Sequence, residues 1–264
     1  MPYYTTADGA RLYYRLEGQP QAQQPALLFI HGWCSNLRHW DHQARHFRRH
    51  FQVLRLDRRG LGRSTTPGTG HNAEQHAADI AAVAKAAGIK RVIAIGHAGG
   101  APVTMALARR FPRLVKAMVI VDAAMYPKPR LDDPRSVFGA VLGPMLEALS
   151  APGGKAALKK MYSGYFAPQC DKAVSSAAVA DALQTPLPIA VQELRMMMVS
   201  TQKIADDINQ PTLWLTAAPV DQQYIASHLR NVQFGQVVGA GHFPQLEVPA
   251  QTNAMLQTFI QQLR

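Results

Sequence analysis

The chain has 264 residues, 47% of them hydrophobic, and a formal net charge of +11 from 28 Lys+Arg against 17 Asp+Glu. That apolar fraction supports a packed core and excludes a disordered chain, and the length suits one large α/β domain with room for an insertion. The two cysteines, Cys34 and Cys170, are too few for a disulfide framework and lack metal-site spacing. The first residues lack the charged and apolar regions of a secretory signal, and no apolar run approaches the ~18 residues of a membrane span, so a soluble, cytoplasmic protein is expected.

Residues 3–17 read as a hairpin, with Asp8-Gly9 as the turn and strand formers from Leu12 to Leu16. Ala26–Ile30 is a continuous apolar run, the pattern of a strand covered on both faces. Leu37, Trp40, Ala44 and Phe47 then recur at helical spacing. Much of the positive excess lies here and just beyond, in Arg38, Arg45, Arg48, Arg49, Arg55, Arg58, Arg59 and Arg63. No nucleic-acid motif accompanies these arginines, so the expectation is a solvated basic face. Val53–Leu56 is a further strand, followed by the loop Asp57-Arg-Arg-Gly-Leu-Gly-Arg-Ser64, in which Asp57 and Arg59 are expected to brace the turn.

A helix over 73–87 is closed by Gly88. A strand over 91–95 leads into Gly96-His97-Ala98-Gly99-Gly100 and a helix to about residue 111, and a strand over 116–121 ends at Asp122. Strands alternating with helices at this pitch predict a mostly parallel sheet with right-handed crossovers. From 125 to 207 the pattern is helical, rich in Ala, Leu and Met, and reads as a cap; residues 1–124 and 208–264 make the core domain. Met145, Met161 and Met196-Met-Met198 are candidates to line a plastic apolar pocket, although ordinary packing accounts for any single methionine. The sheet resumes over 211–215 and 232–238, and an amphipathic helix covers 249–263.

The chemistry-bearing residues follow strands. Gly96-His-Ala-Gly-Gly100, between a strand and a helix, has the context of a G-x-S-x-G nucleophile elbow, but its apex is Ala98, which has no nucleophilic atom. His31-Gly32-Trp33-Cys34 follows the earlier apolar strand, where the second half of an oxyanion hole is expected; the N–H groups of Trp33 and Gly99 are its candidate donors. His242, in Gly239-Ala-Gly-His-Phe-Pro244 after the last strand, is the candidate general base. Asp122 is the favoured acid to orient it, and Asp221 is the alternative, with a helix N-cap as its competing use. His97 is expected to shape the pocket, and Cys34 has no evident activating partner.

His31-Gly-Trp-Cys, Asp57-Arg-Arg-Gly-Leu-Gly-Arg-Ser, Gly96-His-Ala-Gly-Gly and Gly241-His-Phe-Pro, four motifs in this chain order, resemble the α/β-hydrolase fold superfamily over nearly the whole chain. The resemblance implies a mostly parallel sheet of the eight-stranded type, flanked by helices, with a helical cap after the sixth strand. It implies a serine-type hydrolase of carboxylic esters or lactones with Ala98 in the nucleophile position, inactive as written. No metal or cofactor is implied, and the expected partner is a small-molecule substrate, with no nucleic acid or membrane. In most of the family the acid follows the strand matching 212–215; a subset uses an Asp in the position of Asp122. The chain is also similar to hydrolase-fold dioxygenases that open 3-hydroxy-4-quinolone rings without a cofactor. They share the His-Gly-Trp-Cys loop, the Asp and the His-Phe-Pro loop, and Tyr126-Pro-Lys-Pro after Asp122 strengthens the likeness. A binding protein without turnover is a third reading, against which the retained His242 and Asp122 weigh.

Overall fold

The computed structural model describes residues 3–20, 24–125, 138–197 and 201–263. Eight strands form one sheet: β1 (Tyr3–Thr5), β2 (Arg11–Glu17), β3 (Ala26–Ile30), β4 (Val53–Leu56), β5 (Val92–His97), β6 (Val115–Val121), β7 (Thr212–Thr216) and β8 (Val232–Gln236), in the order β1-β2-β4-β3-β5-β6-β7-β8. The β1–β2 and β2–β4 pairings are antiparallel and all later ones parallel. The mostly parallel sheet expected from the alternation is therefore present.

The continuous apolar runs are explained by burial on both faces. Leu28 and Ile30 of β3 pack with α2 (Ala73–Ala86) and α3 (Ala101–Arg110). Leu27 and Phe29 point the other way, onto Trp40, Ala44 and Phe47 of α1 (Asp41–Phe47) and the turn before it, and onto Leu256, Phe259 and Ile260 of α11 (Pro249–Gln262). This is the period of two that a strand imposes on its side chains.

Between β6 and β7 the described elements are helical, including α4 (Gly143–Ser150), α5 (Gly154–Ser163), α6 (Lys172–Gln184), α7 (Leu187–Met197) and α8 (Gln202–Ala205). They build a separate apolar cluster in which Leu149, Leu158, Tyr162 and Leu194 meet Trp33, Cys34 and Phe243 from the loops at the ends of the strands. Two short helices, α9 (Gln222–His228) and α10 (Pro244–Glu247), precede α11 on either side of β8. Among the described residues no helix is long and apolar enough to cross a membrane.

The turn from β5 into α3 is forced by packing. A Cβ on Gly96 would lie 2.0 Å from Thr104 Oγ1, and one on Gly100 would lie 2.8 Å from the Ile30 carbonyl oxygen, so strand and helix close only over bare backbone. Ala98 at the apex adopts φ +46, in the left-handed region that L-residues avoid.

The basic stretch departs from the solvated reading at three positions. Arg38, Arg45, Arg48 and Arg49 are exposed, but Arg55, Arg58 and Arg59 are buried, at 2%, 1% and 0% exposure. Each has found carboxylates distant in the chain: Arg55 pairs with Glu17 and Asp41, Arg59 with Asp8 and Asp79, and Arg58 with Glu193. Arg59 and Asp57 do brace the loop after β4, Asp57 by accepting the N–H groups of Leu37 and Arg63 at 2.7 and 2.8 Å.

Two outcomes are expected. Asp79→Ala strips a buried guanidinium of its bidentate partner and costs about 3 kcal/mol in urea denaturation. Ala98→Gly relieves the left-handed backbone and leaves stability unchanged or raises it by up to about 1 kcal/mol in the same assay, since the gain is partly offset by the entropy of glycine.

Candidate active site

The strand order turns back on itself at β3: β4 lies on one side and β5 on the other. In a parallel sheet this opens a crevice at the carboxyl ends of the two central strands. His31–Cys34 leave β3 there, and His97–Gly100 leave β5. The two segments touch, since a Cβ on Gly99 would lie 3.1 Å from the Trp33 nitrogen. Among the described residues no acceptor takes the Trp33 N–H. Met197 of α7 closes over the same point, its Sδ 2.8 Å from where a Gly99 Cβ would sit.

Asp122 ends β6 at φ +45, with its own N–H donated to the Leu215 carbonyl at 2.7 Å. Its Oδ1 accepts the Ala217 N–H at 2.7 Å, which holds the carboxylate while Oδ2 accepts the Nδ1–H of His242 at 2.7 Å. With Nδ1 donating, Nε2 of His242 carries the free lone pair. The imidazole is one-third exposed and the carboxylate mostly buried, so the pair sits at the edge of solvent. Asp221 is used differently: it caps α9 by accepting the Tyr224 N–H at 2.9 Å. The structure thus brings Asp122, His242, Ala98, Trp33 and Gly99 to one end of the sheet and gives Asp221 the N-cap geometry.

Other side chains fix the His242 loop. His97 is buried and donates its Nε2–H to the His242 carbonyl at 2.6 Å, with the two rings 4.9 Å apart. The Tyr165 carbonyl accepts the His242 N–H at 2.7 Å, and its ring lies 5.2 Å from the imidazole. Glu247 accepts from Gly241 and Phe243 through Oε1 and from Ala167 through Oε2, so one carboxylate joins the loop to the helical segment. The sequence reading did not single out Tyr165 or Glu247. Glu247 left a weak signal, a carboxylate at the end of the short helical turn that follows His242; Tyr165 left none, because nothing local marks a residue that meets the loop from the distant turn after α5.

Cys34 is buried with φ +48, and burial pushes its thiol up, away from the thiolate form. Met145 and Met161 pack beside the Trp33 cluster, and Met196 is buried in the core next to the α2–α3 layer. Met198 and the Tyr126-Pro-Lys-Pro stretch lie outside the described residues.

Three buried histidines set the acid response. Desolvation holds His31 well below the usual imidazole range, reinforced by the Arg58 charge. It does the same to His97, reinforced by His242, and it also lowers His76. Each therefore takes up a proton less readily in the folded chain than in the unfolded one, where it binds a proton below about pH 6.5. Acidification then favours unfolding. The melting temperature is expected to hold above pH 7 and to fall steadily as pH drops from about 6.5 to 5; a flat or rising profile in that window contradicts the burial of these rings.

A profile of the alpha/beta hydrolase fold family matches residues 25–249. A non-heme chloroperoxidase of Streptomyces lividans is 40% identical over 121 residues, which cover 45% of this chain and 43% of that protein. A bifunctional esterase/perhydrolase of Acinetobacter calcoaceticus is 34% identical over 128 residues, 48% of this chain and 46% of that one. The chain thus spans less than half the length of these curated relatives. Among solved structures, the enol-lactonase from Burkholderia xenovorans superposes with a TM-score of 0.84 at 20% identity, over 98% of this chain and 100% of that one. With the sheet order, the turn at Ala98 and the family match over most of its length, this chain belongs to the α/β-hydrolase fold family.

Proposed function

We propose that the chain carries the acyl-transfer site of a carboxylic ester or lactone hydrolase, with Ala98 seated where the nucleophile would stand. The observation that carries this reading is the His242–Asp122 hydrogen bond, 2.7 Å long, between loops that flank the turn at residue 98. Asp122 selects the tautomer of His242 that leaves Nε2 free to take a proton, and it offsets the charge when that proton arrives. On this reading the N–H groups of Trp33 and Gly99 are the donors to the oxygen that becomes negative as a carbonyl is attacked. The helices α4–α8 act as a cap that shapes the substrate pocket.

Ala98 closes the covalent route because it offers no oxygen to acylate. What remains is binding, orientation and oxyanion stabilisation, which in triad enzymes retain roughly 10³–10⁴-fold of the acceleration over water after the nucleophile is lost. The left-handed backbone at residue 98, kept although the side chain has no chemistry to present, supports the reading of a complete scaffold with one atom missing.

The dyad also supports a second reading. His242 and Asp122 are complete without an elbow hydroxyl, and a base of this kind can deprotonate a 3-hydroxy-4-quinolone so that the resulting anion reacts with oxygen directly.

Ala98→Ser is the experiment. It is expected to raise hydrolysis of p-nitrophenyl acetate, p-nitrophenyl butyrate or a γ-lactone by at least about 10³-fold over the unaltered chain, and His242→Ala added to it should abolish that gain. A folded Ala98→Ser protein inert toward all of these overturns the hydrolase reading. Oxygen uptake by the unaltered chain with a hydroxyquinolone, lost in His242→Ala, would establish the second.

A further inference from the structure

We propose that the buried Arg58–Glu193 pair positions the Trp33 N–H, so that α7 controls the amide-lined cradle from outside it. The inference rests on the reading of that amide as an oxyanion donor.

Arg58 follows β4 and is turned inward beneath the His31–Trp33 loop. It donates from Nε to the His31 carbonyl at 3.1 Å and from one terminal nitrogen to the Gly32 carbonyl at 2.9 Å. Its backbone N–H is accepted by Nε2 of His31 at 2.9 Å, and Nδ1–H of the same ring is donated to the Gly32 carbonyl at 3.0 Å. Two donors therefore converge on one carbonyl oxygen. A trans peptide points its C=O and N–H in opposite directions, and the Gly32–Trp33 peptide is not cis. Anchoring the Gly32 carbonyl on Arg58 thus turns the Trp33 N–H away from the guanidinium. Gly99 is the neighbour of that amide, since a Cβ built on Gly99 would lie 3.1 Å from the Trp33 nitrogen. A cation on the carbonyl also polarises the peptide and makes its N–H the stronger donor.

The remaining nitrogen of Arg58 reaches Glu193 Oε2 at 2.5 Å, and both side chains are fully buried. Burial alone would raise the Glu193 carboxyl; the Arg58 charge, followed by His76 and His71, overrides it and holds the group well below the usual carboxylate range. Oε1 accepts from His76 at 2.7 Å and His71 at 3.2 Å. His71, His76 and Glu193 do bring ligand atoms within 4.8 Å of one another, a spacing that suits a metal ion. The guanidinium on the other Glu193 oxygen, 3.4 Å from His76 Nε2, already supplies the counter-charge, so the cluster is an ion-pair anchor. The same α7 accepts the Trp33 indole N–H at the Ala190 carbonyl, 2.8 Å away. It therefore holds Trp33 by its ring directly and by its peptide through Arg58.

Two variants test this. Glu193→Gln removes the counter-charge; Arg58→Lys keeps a cation but cannot span the His31 carbonyl, the Gly32 carbonyl and Glu193 at once. In an Ala98→Ser background with p-nitrophenyl butyrate, and with active sites counted by fluorophosphonate titration, each is expected to lower kcat roughly 10- to 100-fold while KM stays within about twofold. If both variants fold, show the full count of active sites and keep kcat, the proposal is overturned. A failure of Ala98→Ser itself strikes the hydrolase reading, and the positioning claim is then read from amide resonances of the protein with Ala98 retained. Arg58→Lys should broaden or split the Trp33 backbone amide signal while the Trp33 indole signal stays sharp. A single, unmoved backbone amide signal refutes it.

Discussion

The turn at residues 96–100 is the constraint around which the rest of the molecule is arranged. A parallel strand must hand the chain to a helix that packs back on its own sheet, and here it does so within one sharp bend. The bend works because α3 approaches β3 and β5 more closely than any Cβ at residues 96 and 100 would allow. The remainder of the strain falls on Ala98, at φ +46. Once that bend is fixed, its neighbours are fixed too. The β3 loop is pressed against Gly99, and β6 delivers Asp122 one strand away, in register with β5. Only His242 must be brought in from a distance, and Asp122, His97, Tyr165 and Glu247 share that task.

A second layer of organisation is ionic and buried. Arg55, Arg58 and Arg59, within five positions of one another, each reach carboxylates from a different part of the chain. Isolated charges in such positions would be costly, and even paired ones are weak evidence of added stability. What they supply is direction. A guanidinium presents five donors in a fixed plane, and Arg58 uses that plane to bind two carbonyls of the β3 loop and the carboxylate of α7 together. Helices and sheet are thereby locked in one register, and apolar packing in the Trp33 cluster then fills the space between them.

The similarity to esterases, lactonases and haloperoxidases places the scaffold among proteins of varied chemistry. A fold of this kind hosts several reactions, and the reaction follows from the groups at the carboxyl ends of the strands. In this chain the carboxyl ends of the strands carry the hydrogen-bonded His242–Asp122 pair, and the turn from β5 carries Ala98.

Much of this was written in the sequence. The first two strands followed from a turn flanked by strand formers and the others from apolar runs, the bend from glycines between a strand and a helix, and the candidate site residues from motifs that lie directly after strands. These signals are local, set by backbone geometry over a few residues. The choice between Asp122 and Asp221 as the partner of His242 could not be made that way, because both follow strands and only one carboxylate reaches the imidazole. The fate of Arg55, Arg58 and Arg59 was equally hidden: in one dimension they look like a solvated basic run, and their partners stand as far away as residue 193. Pairing between distant charges depends on which loops and helices the folded sheet brings face to face, and that is decided by tertiary packing.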